Sequence, residues 1–174
     1  MAHQWDPKQY EKFERERSQP FYDLLHLVHP MHQPRILDLG CGNGALTKAV
    51  HEQLHASYTL GIDNSKEMLA KTQWLQANNL SFKEHDIQTF TSSEPFNLVI
   101  SNAALQWIPN HSHLFKQLSH LLAPGGQLAV QLPANQNYPT HTIAAELAAE
   151  QPFKKVFKKT IAPIHHLLTM EEYA

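Results

Sequence analysis

The sequence is short of cysteine, of glycine, of excess charge and of long apolar runs, and each shortage narrows what the chain can be. Cys41 is the single cysteine among 174 residues, which excludes an intrachain disulfide framework and fits a reducing cytosol. Fourteen Lys and Arg against sixteen Asp and Glu leave a formal net charge of −2, so nothing favours an electrostatic grip on nucleic acid or acidic lipid. No stretch approaches the roughly 18 apolar residues of a membrane span, and the polar start Met1-Ala-His-Gln-Trp-Asp-Pro7 lacks the apolar segment of a signal peptide. The expectation is a soluble, cytoplasmic domain with neither nucleic acid nor membrane as a partner and with its oligomeric state left open. The length is enough for one domain with a real core, burying roughly 70% of the surface of the unfolded chain.

Glycine is the sharpest shortage, with six residues in the whole chain, roughly half the usual share of about 7%. Three of the six, Gly40, Gly42 and Gly44, fall within five residues. A chain that is sparing with glycine and then clusters it needs unusual backbone geometry, or close backbone approach to a ligand, at that point.

The apolar pattern places this cluster. Asp6-Pro7 reads as the start of a helix running through Tyr10 and Phe13 to about Arg17, and Phe21, Leu24, Leu25 and Val28 form a second helical face after Pro20. Arg35 to Gly40 reads as a strand and Ala45 to about His55 as a helix. The unit repeats with a strand at Tyr58–Asp63, a helix from Ser65 to Ala77 capped by Asn64 or Ser65, and a strand at Ser81–Asp86. Phe96–Ser101 is the most apolar strand; a helix from about Asn110 to Leu122 follows, stopped by Pro124-Gly-Gly126 ahead of a fifth strand, Gln127–Leu132. Residues 136–160 read mostly as helix. Alternating strands and helices predict an α/β, Rossmann-like, doubly wound and mostly parallel sheet.

Asp38-Leu-Gly-Cys-Gly-Asn-Gly44 therefore lies at the carboxyl end of the first strand, where open α/β sheets bind ligands. Asp63 closes the second strand 23 residues after Gly40, where an acidic side chain accepts hydrogen bonds from ribose hydroxyls. A glycine-rich turn with this distal acid points to a nucleoside-containing cofactor. Gly40-Cys-Gly-Asn-Gly-Ala45 also satisfies the dinucleotide pattern G-x-G-x-x-A, so the loop by itself leaves NAD open.

Together, Asp38–Gly44, Asp63 and Leu122-Ala-Pro-Gly-Gly126 resemble the class I S-adenosyl-L-methionine (SAM)-dependent methyltransferases. Trp5-Asp-Pro7, Phe13-Glu-Arg-Glu-Arg17 with Pro20, Gly61–Ser65 with Met68, Ser101-Asn-Ala-Ala-Leu-Gln-Trp107 and Ala129-Val-Gln-Leu-Pro133 are similar to the trans-aconitate methyltransferases, from about Trp5 to Tyr173. That family methylates a carboxylate of a small tricarboxylic acid, so the resemblance implies a small anionic organic acid as substrate. It also implies that Asp38 and the loop residues Gly40, Cys41, Gly42 and Gly44 hold the methionine part of SAM. By the same likeness Asp63 meets the ribose, with Asn64 also among the cofactor-binding residues, Met68 one adenine face, and Asp86 with the backbone of Ile87 the adenine edge. Asn102 lies near the donated methyl, Tyr10 and Arg17 fold over the cofactor, and Asn102, Gln106 and Trp107 are the candidate catalytic residues that shape the acceptor pocket.

The implied domains are an N-terminal helical lid at 1–30, a SAM-binding core at 31–135 and the start of a helical substrate cap at 136–174. Family members continue beyond the Tyr173 region into further cap helices and two strands, so the expectation is a truncated methyltransferase with its C-terminal strands missing. Gln19, Asn110 and Ala134 stand where the family carries an arginine, an aspartate and a glycine. Alternatives are a carrier-bound malonyl or hydroxyl acceptor, a SAM-binding fragment without turnover, and an NAD-binding oxidoreductase module.

Other motifs read as scaffold. His51-Glu-Gln-Leu-His55 matches the zinc pattern H-E-x-x-H, but its apolar partners Leu46, Ala49, Val50 and Leu54 leave both histidines toward solvent, and no metal is expected. His111-Ser-His113 and His165-His166 read as surface pairs, although His111 or His113 would serve as a base for a hydroxyl acceptor. Trp107 has a second reading as a core aromatic. Cys41 reads as a small turn residue, and Phe153-Lys-Lys-Val-Phe-Lys-Lys159 as a solvated helix face.

Overall fold

The computed structural model describes residues 14–135, 138–156 and 166–173. Five strands form one sheet: β1 (Arg35–Leu39), β2 (Tyr58–Asp63), β3 (Leu80–Glu84), β4 (Phe96–Asn102) and β5 (Leu122–Gln131). Every adjacent pair is parallel and the order is β3-β2-β1-β4-β5. The chain thus winds outward from β1 in one direction and then from β4 in the other. At this reversal, between the loops after β1 and β4, a crevice opens at the carboxyl edge of the sheet.

Six helices accompany the sheet among the described residues: α1 (Glu14–His26), α2 (Ala45–Gln53), α3 (Lys66–Leu69), α4 (His111–Ser119), α5 (Pro139–Ala149) and α6 (Phe153–Val156). A seventh short helix, α7 (Met170–Tyr173), follows. Alternation along the strands divides the core between the two faces. Leu37, Leu39, Ile62 and Val99 pack with Leu114 and Leu118 of α4 on one face. Ile36, Leu98 and Ile100 pack with Phe21 and Leu25 of α1 and Val50 of α2 on the other.

The chain departs from the sequence pattern at four places. The helix expected to begin after Pro20 runs straight through it, from Glu14 to His26; the loss of one backbone donor is offset by burial of Phe21 and Leu25 against β1 and β4. The expected helix from Ser65 to Ala77 is only one α-turn plus the tighter turn Ala70–Thr72. There the Thr72 hydroxyl donates to the Leu69 carbonyl at 2.8 Å and Gln73 Nε2 to the Ala70 carbonyl at 2.8 Å, competing with further helix. Of the two cap residues weighed, Ser65 caps it, accepting from the Met68 amide at 3.2 Å. Helix α4 ends at Ser119, three residues short of Leu122, and Pro124-Gly-Gly126 lies inside β5 as an irregularity between the pairings of Leu122 with Phe96 and Gln127 with Leu98. The first expected helix, from Asp6, lies mostly outside the described residues.

Docking of α1 is testable through Phe21, which is 1% exposed. Phe21→Ala is expected to cost about 3–5 kcal/mol and to lower the melting temperature by about 10 °C. Leu27→Ala on the same segment, 77% exposed in the parent, is expected to stay within about 2 °C. Equal melting temperatures for the two variants would contradict this packing.

Candidate functional site

A cleft of about 1060 Å³ opens at the carboxyl edge of the sheet. It is lined from every strand end: Gly40–Asn43 after β1, Asp63 and Asn64 after β2, Asp86 and Ile87 after β3, Asn102 to Ala104 after β4, and Gln131 and Pro133 from β5.

The loop after β1 is fixed by its own amides. Gly40 and Cys41 both donate to the Ile62 carbonyl, at 2.9 and 3.0 Å. Gly42 donates to Asp63 Oδ2 at 2.9 Å, Gly44 to the Cys41 carbonyl at 3.0 Å, and Ala45 to Asn43 Oδ1 at 3.1 Å. Gly40 and Gly44 take φ of 76° and 79°, a region costly for residues with a Cβ. A Cβ on Gly40 would also sit 2.2 Å from Ala104 Cβ, so the loops after β1 and β4 meet there.

Those bonds bear on the choice of ligand. A dinucleotide loop holds its diphosphate by presenting free N–H groups, whereas here the amides of Gly40, Cys41, Gly42, Gly44 and Ala45 are spent on protein acceptors. The charge points the same way. Asp38, Asp63, Glu67 and Asp86 line the cleft against one lysine, Lys71, a net negative setting that disfavours a diphosphate and suits a cationic ligand. Asp38 is buried and accepts the Thr47 hydroxyl at 2.6 Å. Burial, above all, raises its pKa to about 6; the Thr47 bond lowers it and the neighbouring Asp63 charge raises it further.

Asp63 accepts from Gly42 on one oxygen and from the Ser65 amide, at 2.8 Å, on the other. Each carboxylate oxygen keeps a further lone pair for a ribose hydroxyl. Met68 leans over the loop, since a Cβ on Gly42 would lie 3.3 Å from its Cε. Asp86 caps the turn Ile87–Thr89 by accepting from the Gln88 amide at 2.8 Å. At the other end, Asn102 Oδ1 is buried without a protein partner. An orphaned acceptor on a residue that lines a cleft fits a ligand that brings a donor or a positive charge. The donor set therefore fits a nucleoside cofactor carrying a cationic group.

The structure brings Asp38, Gly40, Cys41, Gly42, Asp63, Asn64, Met68, Asp86, Ile87, Asn102 and Trp107 onto this one cleft. Gly44 and Gln106 are not among its lining residues. Gly44 packs toward Phe82 and Thr72, and Gln106 Nε2 donates to the Ala103 carbonyl at 2.7 Å. Tyr10 lies outside the described residues, and of Arg17 the structure describes the backbone within α1.

Three expectations need correction or refinement. Trp107 is no core aromatic: it is 72% exposed and flanks the cleft. His111 is not a surface histidine: it is 1% exposed and bonded to the Leu105 carbonyl and the Tyr173 hydroxyl, so neither nitrogen remains for use as a base. His51 is half-buried rather than turned to solvent, its Nδ1 2.8 Å from Thr59 Oγ1. Burial, together with the Asp38 and Asp63 charges, pushes the Cys41 thiol well above its usual pKa, in keeping with a turn residue rather than a nucleophile. Sequence reasoning missed Thr47, Tyr22, Glu67, His85 and Gln131. Thr47 left a usable trace, a hydroxyl on the inward face of the helix that follows the loop.

The methyltransferase-domain family matches residues 32–173. The chain is 37% identical over 171 residues to trans-aconitate 2-methyltransferase of Acidovorax ebreus (strain TPSY), covering 98% of this chain and 66% of that protein. It is 38% identical over 169 residues to the protein of the same name from Yersinia pestis (strain Pestoides F), covering 97% and 65%. It thus spans about two thirds of the length of these curated relatives. The crystal structure of an S-adenosylmethionine-dependent methyltransferase from Mesorhizobium loti superposes with a TM-score of 0.58 at 29% identity, covering 63% of this chain and 51% of that one.

The raised pKa of Asp38 has a signed consequence for stability. Because the folded state holds this proton more tightly than the unfolded chain, whose carboxyl titrates near 3.8, Asp38 withdraws stability as pH rises from about 4 through about 6, on the order of 3 kcal/mol in full. Asp38→Asn is expected to be more stable than the parent at pH 7 and equal to it near pH 4, read from urea midpoints. A gap that does not change with pH would count against a buried, destabilised carboxylate.

Proposed function

Because the chain belongs to the methyltransferase-domain family, we propose that it binds SAM in this cleft and methylates a carboxylate of a small organic acid of the trans-aconitate kind. The observation that carries the reading is the acidic, amide-committed loop with Asp63 at its edge, supported for the acceptor by the names of the relatives at 37% and 38% identity.

In this reading Asp38 and the Gly40–Gly42 turn face the α-ammonium end of the cofactor, Asp63 and Asn64 its ribose, Met68 one face of the adenine, and Asp86 with the Ile87 backbone the adenine edge. Asn102 faces the sulfonium, and its unpartnered oxygen supplies partial negative charge there. Gly44 supports the turn from behind; Tyr10 and Arg17 belong to a lid at 1–30 over the core at 31–135, with 136–174 on the acceptor side. When bound, SAM supplies an electrophilic methyl group. A carboxylate acceptor is ionised at neutral pH, so the chain has no proton to remove, in keeping with His111 being fully engaged. Its task is alignment and water exclusion, which supply up to about 7–11 kcal/mol in the best cases. Trp107 offers a wall for the acceptor and Gln106 steadies the turn that carries it.

Titration with S-adenosylhomocysteine is expected to give saturable binding that weakens at least tenfold in Asp63→Ala, while NAD gives no heat. Transfer of labelled methyl to trans-aconitate, and not to alcohols of similar size, is the expected turnover. Binding of NAD would favour an oxidoreductase module. Homocysteine-nucleoside binding without transfer to any di- or tricarboxylate would leave a SAM-binding unit with a different acceptor.

A further inference from the structure

The wall of the cleft after β4 is held in an unfavourable conformation. Ala103, a non-glycine residue, has φ of 52°, and such a residue persists only where its surroundings over-determine it. The ties are visible. The Ala103 amide donates to the Gln131 carbonyl at 3.0 Å, and the Ala103 carbonyl accepts Gln106 Nε2 at 2.7 Å. The Leu105 carbonyl accepts twice, from the Ile108 amide at 2.9 Å and from His111 Nε2 at 3.0 Å.

His111 reaches this wall from the first turn of α4 and is itself held from far along the chain. A carbonyl only accepts, so Nε2 carries a proton, and in the neutral ring Nδ1 accepts from the Tyr173 hydroxyl. The Tyr173 oxygen in turn accepts from the Leu168 amide at 3.3 Å. The rings of His111, Phe115 and Tyr173 form one cluster, with centroids 5.3 to 5.8 Å apart. A continuous line of hydrogen bonds therefore runs from the segment Leu168–Tyr173, through His111, to the backbone between Ala104 and Trp107.

We propose that His111 is a positioning residue for this cleft: it fixes the Leu105 carbonyl and with it the directions of Asn102 and Trp107, and Tyr173 sets the tautomer that lets it do so. Docking of α7 and the shape of the cleft wall are then a single state. This rests on the SAM reading only for what the cleft binds, not for the geometry.

Two substitutions separate the arms of the imidazole. His111→Gln keeps an N–H at the reach of Nε2, and His111→Asn keeps an acceptor at the reach of Nδ1. Amide hydrogen exchange of the ligand-free protein, followed on the peptide spanning 103–108, is expected to quicken at least tenfold in His111→Asn and to stay within twofold in His111→Gln. Exchange in β1, which reports global opening, serves as the reference. Tyr173→Phe keeps the ring cluster but removes the hydroxyl, and is expected to quicken 103–108 several-fold although Tyr173 has no bond to that peptide. It also carries the comparison if His111→Asn fails to fold. S-adenosylhomocysteine affinity should follow the same order, falling at least fivefold in His111→Asn and recovering in His111→Gln.

Unchanged 103–108 exchange in both His111→Asn and Tyr173→Phe, once scaled to β1, would reduce His111 to a packing residue and overturn the proposal. If the parent binds no homocysteine nucleoside at all, the SAM reading fails while the exchange order still decides the role of His111.

Discussion

The Ile62 carbonyl, accepting at once from the amides of Gly40 and Cys41, sets how the chain leaves β1, and the cleft is arranged around that exit. Two donors on one oxygen force the turn to fold back over β2 at once, which brings Gly42 within 2.9 Å of Asp63. The same turn presses Gly40 against Ala104, so the loops on either side of the sheet reversal are in contact where the crevice begins. A side chain at Gly40 would push these loops apart. The glycine shortage elsewhere in the chain and the cluster here are two sides of one requirement.

That geometry also decides the chemistry of the loop. The sequence pattern G-x-G-x-x-A is shared by folds that bind diphosphates and by folds that do not, because glycine spacing records backbone shape and not the destination of the N–H groups. Here the destinations are protein oxygens, and the charge facing the cleft is net negative, the carboxylates of Asp38, Asp63, Glu67 and Asp86 outnumbering Lys71. Asp38 makes the cost explicit: burial and the nearby Asp63 charge hold its pKa near 6, so at neutral pH the free protein keeps a disfavoured anion under the loop. A cationic ligand relieves that cost on binding; an anionic one adds to it. Part of the affinity for a cation is thus already present in the strain of the free protein.

The parts of this arrangement visible in the sequence are those set by near neighbours. The strand Tyr58–Asp63 and its terminal acid, the glycine turn and the apolar strand at Phe96 follow from short-range alternation and punctuation, and they fall where the pattern puts them. Helix ends were less visible. Pro20 and Pro124 read as stops, yet the first is overridden by burial of Phe21 and Leu25, and the second sits in a strand irregularity created by pairing with Phe96. His111 shows the limit most clearly. Its neighbours Ser112 and His113 give it the look of a surface residue, and what buries it is Tyr173, 62 residues away, together with a carbonyl on the turn before it. The orphaned oxygen of Asn102 is likewise a property of a cavity and not of any local motif.

Both ends of the cleft are held rigidly, by different means. Around Asp38 and Asp63 nearly every polar contact is backbone to side chain or backbone to backbone, which leaves little to adjust from one ligand to another. On the β4 side two non-glycine residues, Ala103 at 52° and Asn110 at 56°, bracket the turn that carries Trp107. At Ala103 this costs about 1–2 kcal/mol, and less at Asn110, whose side chain tolerates the region; the pair is held by bonds from Gln106, Gln131 and His111 and by the Asn110 side chain accepting from the His113 amide. A turn held this way has few alternative conformations at comparable energy, so the cleft is not readily reshaped on this side. What varies there is left to the side chains it displays, and the largest of these is Trp107, which is mostly exposed.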